Sequence, residues 1–134
     1  MKKCYLYVRC ATATQEEIDS DYINSIERQK KICSDYAKSK SFQVIKVFQD
    51  IGVSGNNPKR PGIIELSNSL VTNPVDALIV ETYDRVSRNA GDFYDFYKDL
   101  KILNVTLMSA TQDVFIKQMQ IIDTSFQLSQ LQRS

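Results

Sequence analysis

The stretch VDALIVETYDRVSRN, Val75 to Asn89, decides the fold. Its first half contains ALIV, Ala77 to Val80, a continuous apolar run without polar alternation, which is the pattern of a strand covered on both faces. A strand buried on two sides needs helices above and below it, so strand and helix patterns should alternate along the chain. They do. Cys4 to Val8 (CYLYV) predicts a first buried strand and Phe42 to Phe48 (FQVIKVF) a second. Between them Asn24 and Glu27 stand at capping-box spacing, and Ile26, Cys33 and Tyr36/Ala37 recur with helical period, which predicts a helix from Ser25 to Lys38. Pro61 suits the first turn of a helix carrying Ile63, Leu66 and Leu70, with Asn73-Pro74 to end it. A further helix puts Phe93, Phe96/Tyr97 and Leu100 on one face, and Val105 to Met108 (VTLM) is the fourth predicted strand. In the tail, Gln112 to Ser134, the residues Phe115, Met119, Ile122 and Phe126 are spaced 4, 3 and 4 apart, so a long amphipathic helix is expected. The sum is an α/β three-layer domain with a mainly parallel central sheet of about four to five strands and right-handed crossovers.

Composition narrows the chemistry. With 134 residues, 43% of them apolar and 25% charged, the chain has the size and balance of one globular domain with a single core. A formal charge of +1 means that any affinity for nucleic acid must come from local clustering of cations. Cys4, Cys10 and Cys33 are odd in number and show no CxxC spacing, which argues for reduced thiols in a cytoplasm and against a disulfide frame or zinc site. There is no histidine, so Ser-His and Cys-His hydrolase schemes are excluded. Neither a signal peptide nor a run of about 18 apolar residues is present.

In a parallel sheet, sites gather at the carboxyl ends of the strands. Three polar segments follow predicted strands: Arg9 in YVRCATATQ (Tyr7 to Gln15), Ser54 and Arg60 in DIGVSGNNPKRPG (Asp50 to Gly62), and Asp84, Arg85 and Arg88 in YDRVSRN. The middle segment holds three of the four glycines and two of the three prolines, the mark of a surface loop. Each arginine alone reads as a solvated surface charge, and Ser54 alone as a turn former. Together Arg9, Arg60, Arg85 and Arg88, with Lys59 as a fifth cation, are expected at one rim, where guanidinium forks match phosphate oxygens two at a time. Asp84 is placed to orient an arginine or to exchange a proton. Charge stabilisation at a five-coordinate phosphorus is most of the work of metal-free phosphoryl transfer, so the implied chemistry is transfer at a phosphodiester. A nucleotide-binding protein of the flavodoxin-like kind is the weaker alternative, since no glycine-rich strand-to-helix loop is present.

The order YVRCATATQ, NSIERQ, DIGVSGNNPKRPG and YDRVSRN, at these spacings, resembles the catalytic domain of the serine recombinases, the resolvase/invertase family, over residues 3 to 110. The resemblance implies that residues 1–111 are a resolvase-type catalytic domain and 112–134 the start of the long helix used in dimerisation and DNA contact. It further implies a site-specific recombinase, in which a serine attacks DNA and leaves a 5′-phosphoserine linkage and a free 3′-hydroxyl. Subunits then exchange strands in a synaptic tetramer of homodimers, and no metal, nucleotide or other cofactor is called for. By position, Arg9, Arg85 and Arg88 would hold the scissile phosphate, with Arg60 assisting. Asp84 would be the acid/base or orienting group, Ser54 a polar loop contributor, and Gln15 and Gln29 supporting neighbours. The family motif reads Tyr-x-Arg-x-Ser-Thr, whereas this chain has Tyr7, Arg9, Ala11 and Thr12. The nucleophile position is thus a methyl group, which cannot attack phosphorus. An engineered substitution, a natural loss of cleavage, or a transfer of the role to Thr12 would each account for it; the first two are favoured, because one residue further along an extended chain the Thr12 side chain is expected on the opposite face unless the backbone bulges there. The alternative function is a catalytically dead regulator or interaction module with the same fold. The separate DNA-recognition domain of the family is not visible in the chain, so sequence-specific binding is expected to reside elsewhere.

Overall fold

The computed structural model describes residues 1–10, 23–52 and 60–112. Among them the elements alternate as β1 (Lys2–Cys10), α1 (Ile23–Ser39), β2 (Phe42–Ile51), α2 (Pro61–Thr72), β3 (Ala77–Val80), a 3-10 turn (Tyr83–Arg85), α3 (Ala90–Ile102) and β4 (Thr106–Ser109). The strands form one 4-stranded sheet in the order β2-β1-β3-β4, with every pairing parallel. β1 is therefore flanked on both sides, and its residues from Cys4 to Cys10 are all buried.

Period-two alternation then sorts the side chains between two cores. On one face Tyr5, Tyr7, Phe48, Leu78 and Val80 pack with Ile63, Leu66 and Leu70 of α2 and Phe93, Tyr97 and Leu100 of α3. On the other Cys4, Leu6, Ala77 and Ile79 meet Cys33 and Ala37 of α1. The result is the expected three-layer α/β/α arrangement, with α1 on one side and α2 and α3 on the other. Leu66, Leu78 and Ile79 are 0% exposed, and each such side chain contributes about 1.5–3 kcal/mol of burial free energy.

Local chemistry explains the element ends. Pro61 opens α2 at its first helical position, and the Asn73 N–H closes it on the Ser69 carbonyl. Asn89 caps α3 by accepting from the Asp92 N–H at 3.0 Å. α1 begins at Ile23, so Asn24 lies inside its first turn and does not stand before it as a cap. β1 and β2 both run further than their apolar cores predict, because Arg9 pairs with Asp50 and Cys10 with Ile51 in parallel register. The tail beyond Gln112 lies outside the described residues, and with it the long helix expected there.

All strands being parallel, their carboxyl ends share one rim. It carries Arg9 and Cys10 from β1, Asp50 from β2, Glu81 after β3 and Ser109 from β4.

Candidate active site

At this rim a buried arginine cluster is built around the main chain of the 3-10 turn. Arg9 is 0% exposed. Its Nε donates to the carbonyl of Arg85 at 2.9 Å and its Nη2 to the carbonyl of Asp84 at 2.8 Å. Arg60, 5% exposed, approaches the same turn from the start of α2. Its Nη1 donates to the Tyr7 hydroxyl at 2.9 Å and to the Arg85 carbonyl at 3.1 Å, and its Nη2 to the Val86 carbonyl. A 3-10 turn leaves carbonyls without intrahelical partners, and two guanidinium groups with fixed forks satisfy them.

Gln29 fixes the other side of Arg9. It lies on the buried stripe of α1 with Ile26, Cys33 and Ala37 and is 0% exposed. Its Oε1 accepts from the Arg9 N–H at 3.1 Å, and its Nε2 donates to the Arg9 carbonyl at 3.0 Å. A side-chain amide here does the job of a neighbouring strand, past the point where β3 pairs with β1.

Behind Arg60 stands Asp50, 3% exposed at the end of β2. Its Oδ2 accepts from the Tyr7 hydroxyl at 2.7 Å and from the Ile63 N–H at 3.0 Å, and its Oδ1 accepts from the Gly62 N–H at 2.7 Å. The carboxylate therefore receives the first free amides of α2, where the helix dipole favours negative charge. Gly62 is required at this contact, since a Cβ there would lie 2.3 Å from the Gln49 carbonyl oxygen. Burial, and then the hydrogen bond to Asp50, push the Tyr7 hydroxyl well above the usual phenol range, so it stays protonated and bridges Asp50 to Arg60.

The electrostatics are those of crowded cations. Burial, followed by the charge of Arg60, lowers the pKa of Arg9, and Arg85 and Arg88 push in the same direction. Arg85 donates through Nη1 to the Arg9 carbonyl at 3.1 Å and through Nη2 to Glu81 at 3.2 Å. Arg88 is exposed, and with Asp84 and Ser87 it rims a cavity of about 350 Å³ whose floor includes Tyr83 and Phe93. The Asp84 carboxylate is exposed and accepts from the Thr82 hydroxyl.

Arg9, Arg60 and Arg85 thus come together on one turn, with Arg88 on the outer side of that turn, while Asp84 contributes its carbonyl to the cluster and holds its carboxylate outside. Ala11, Thr12, Gln15, Ser54 and Lys59 lie outside the described residues. Sequence reasoning missed Tyr7, Asp50 and Glu81. Asp50 had a signal: an acid ending an apolar strand, followed by a loop and a proline-started helix, is placed to meet that helix's free amides. Among the described residues no group of three or more His, Cys, Asp or Glu side chains is arranged to hold a metal. No helix among them is long and apolar enough to cross a membrane.

Residues 4–133 match the family model described as Resolvase, N terminal domain. No curated protein sequence gives a significant match. Among solved structures the chain is similar to the N-terminal catalytic domain of TP901-1 integrase, at 24% identity and TM-score 0.77, covering 96% of this chain and 99% of that one. It is similar to the C-terminal catalytic domain of ISC1926 TnpA, an IS607-like serine recombinase, at 25% identity and TM-score 0.70, over 92% and 82% of the two chains. A resolvase family site-specific recombinase from Streptococcus pneumoniae matches at 20% identity and TM-score 0.72, over 99% and 93%.

Proposed function

Because the chain belongs to the resolvase N-terminal domain family, we propose that it is the catalytic domain of a site-specific DNA recombinase whose phosphate site is the arginine-clamped turn. The observation that carries this reading is the gathering of Arg9, Arg60 and Arg85 on the Tyr83–Val86 main chain, with exposed Arg88 beside them. In this reading Arg85 and Arg88 take the phosphate oxygens. Arg9 and Arg60 fix the turn that presents them and add positive potential from behind, in a setting dry enough to strengthen it.

The reaction is transfer of a phosphodiester from a DNA 3′-oxygen to a protein hydroxyl. The serine oxygen forms a bond to phosphorus, the bond to the 3′-oxygen breaks, and the 3′-oxygen leaves with a proton. Asp84, with its carboxylate at the mouth of the cavity, is the group proposed to orient the reactants or move that proton. One phosphoester replaces another, so rejoining needs no outside energy source. Position 11 is alanine, so the chain as written holds the phosphate without cutting. Dimers and a synaptic tetramer are the proposed working assemblies.

The test is Ala11→Ser in a protein that also carries a DNA-recognition region, incubated with supercoiled DNA bearing its recombination site. The variant is expected to yield protein attached to 5′ ends, and the alanine form none. A covalent adduct formed by the alanine form, at Thr12, would refute the assignment. Ala11 also favours a second reading, a non-enzymatic module that keeps the fold for binding; under it Ala11→Ser gives no cleavage.

A further inference from the structure

Glu81 directly follows β3 and is 4% exposed. Its main chain is pinned, since its carbonyl accepts from the Ser109 hydroxyl at 2.7 Å and from the Thr111 hydroxyl at 2.8 Å. Its carboxylate is shared between two arginines from different elements. Oε2 pairs with Arg28 of α1, and Oε1 accepts from Arg85 Nη2 at 3.2 Å. A carboxylate that faced Arg85 squarely would satisfy two parallel N–H groups at once. Here the second oxygen is taken by Arg28, and Arg85 Nε is left buried with no acceptor among the described residues. Arg85 is therefore held by a single 3.2 Å bond to this carboxylate and a 3.1 Å bond to the Arg9 carbonyl, and keeps one donor unmet.

The other nearby acids are committed elsewhere. Asp50 is occupied by Tyr7 and the amides of Gly62 and Ile63, and the Asp84 carboxylate is exposed and turned to Thr82. Among the described residues Glu81 is the carboxylate that forms an ion pair with an arginine of the cluster, Arg85.

We propose that Glu81 is a placeholder anion for Arg85. It holds the guanidinium in the DNA-free protein and yields it to a backbone phosphate, whose paired oxygens match Nε and Nη2, while Arg28 retains the released carboxylate. This rests on the reading of the site as one for DNA phosphate. Arg28, with its side chain 52% exposed, sets the strength of the hold by keeping half of the carboxylate away from Arg85.

The test measures binding of a fluorescent DNA duplex to the chain by anisotropy at low salt, beside thermal unfolding without DNA. Glu81→Gln is expected to tighten binding on the order of fivefold while lowering the unfolding temperature of the free protein, and the gain disappears when Arg85→Ala is added. Surface Glu65→Gln controls for the loss of one negative charge. Arg28→Gln lets the carboxylate turn fully to Arg85, and is expected to weaken binding about threefold beyond the control Lys30→Gln on the same helix. A Glu81→Gln effect equal to that of Glu65→Gln, a gain that persists without Arg85, or equal effects of Arg28→Gln and Lys30→Gln would each overturn the proposal. If the unaltered chain does not bind DNA, or Arg85→Ala and Arg88→Ala leave binding unchanged, the phosphate site itself falls and this inference with it.

Discussion

Replacing Asp50 by asparagine tests whether the site is assembled from the sheet outward. The buried carboxylate accepts three hydrogen bonds, from Tyr7 at 2.7 Å, Gly62 at 2.7 Å and Ile63 at 3.0 Å. Asparagine can keep its oxygen where Oδ2 stands and so retain Tyr7 and Ile63, but its NH₂ then faces the Gly62 N–H, donor against donor. One hydrogen bond to a charged group is lost, at about 1.5–3 kcal/mol. The negative charge at the start of α2 is lost as well, at about 0.3–1 kcal/mol and more where partly buried. The sum is roughly 3 kcal/mol, which at roughly 3–4 °C per kcal/mol for a chain of this size lowers Tm by about 10 °C. Urea unfolding followed by circular dichroism is the assay, with an unchanged slope marking a true stability change. Tyr7→Phe leaves both helix amides on Asp50 and leaves Arg60 its carbonyl partners, so about 1 kcal/mol is expected there. A loss below about 1 kcal/mol for Asp50→Asn would mean that the acid does not anchor α2, and the placement of Arg60 would need another cause.

Gly62→Ala should cost more than about 3 kcal/mol, because its Cβ meets main chain and not a yielding side chain, whereas Gly91→Ala, whose Cβ meets only Asn89 Oδ1 at 3.3 Å, should be neutral or stabilising by up to about 1 kcal/mol. Paired thermal melts of the two variants decide it, and equal effects would contradict the crowding at Gly62. Burial pushes the Cys4 thiol up to about 11 and the Cys33 thiol up to about 12, from 9.0 when unfolded. Above 9.0 the unfolded chain thus binds fewer protons than the folded one, so the stability these thiols supply is complete below that pH and declines as pH rises toward their folded values. Tyr7 acts with the same sign from 10.0 upward. Urea midpoints across this alkaline range should fall, and a flat profile would show the thiols to be hydrated.

The sequence was most legible where one physical effect dominated. ALIV gave β3 residue for residue, since a strand buried on both faces must be apolar throughout. The strand ends were less legible: Arg9, Cys10 and Asp50 read as the start of polar loops, and their membership of β1 and β2 depends on partners distant in the chain. Gln29 enters the sequence reading only through the resemblance, because its burial depends on two main-chain groups of Arg9 that lie far off in the chain. The convergence of the arginines followed from parallel topology, but what they donate to did not. Main-chain carbonyls occur at every residue, so no pattern of side chains reveals which of them a guanidinium will choose.

The clamp on the Tyr83–Val86 turn grips only peptide oxygens. The clamp itself does not depend on the side chains the segment displays, so the exposed positions 84 and 88 can change over a lineage while the scaffold beneath them persists. Such a mount permits new substrates to be explored by altering its displayed groups, whereas a change to either clamping arginine removes the mount itself.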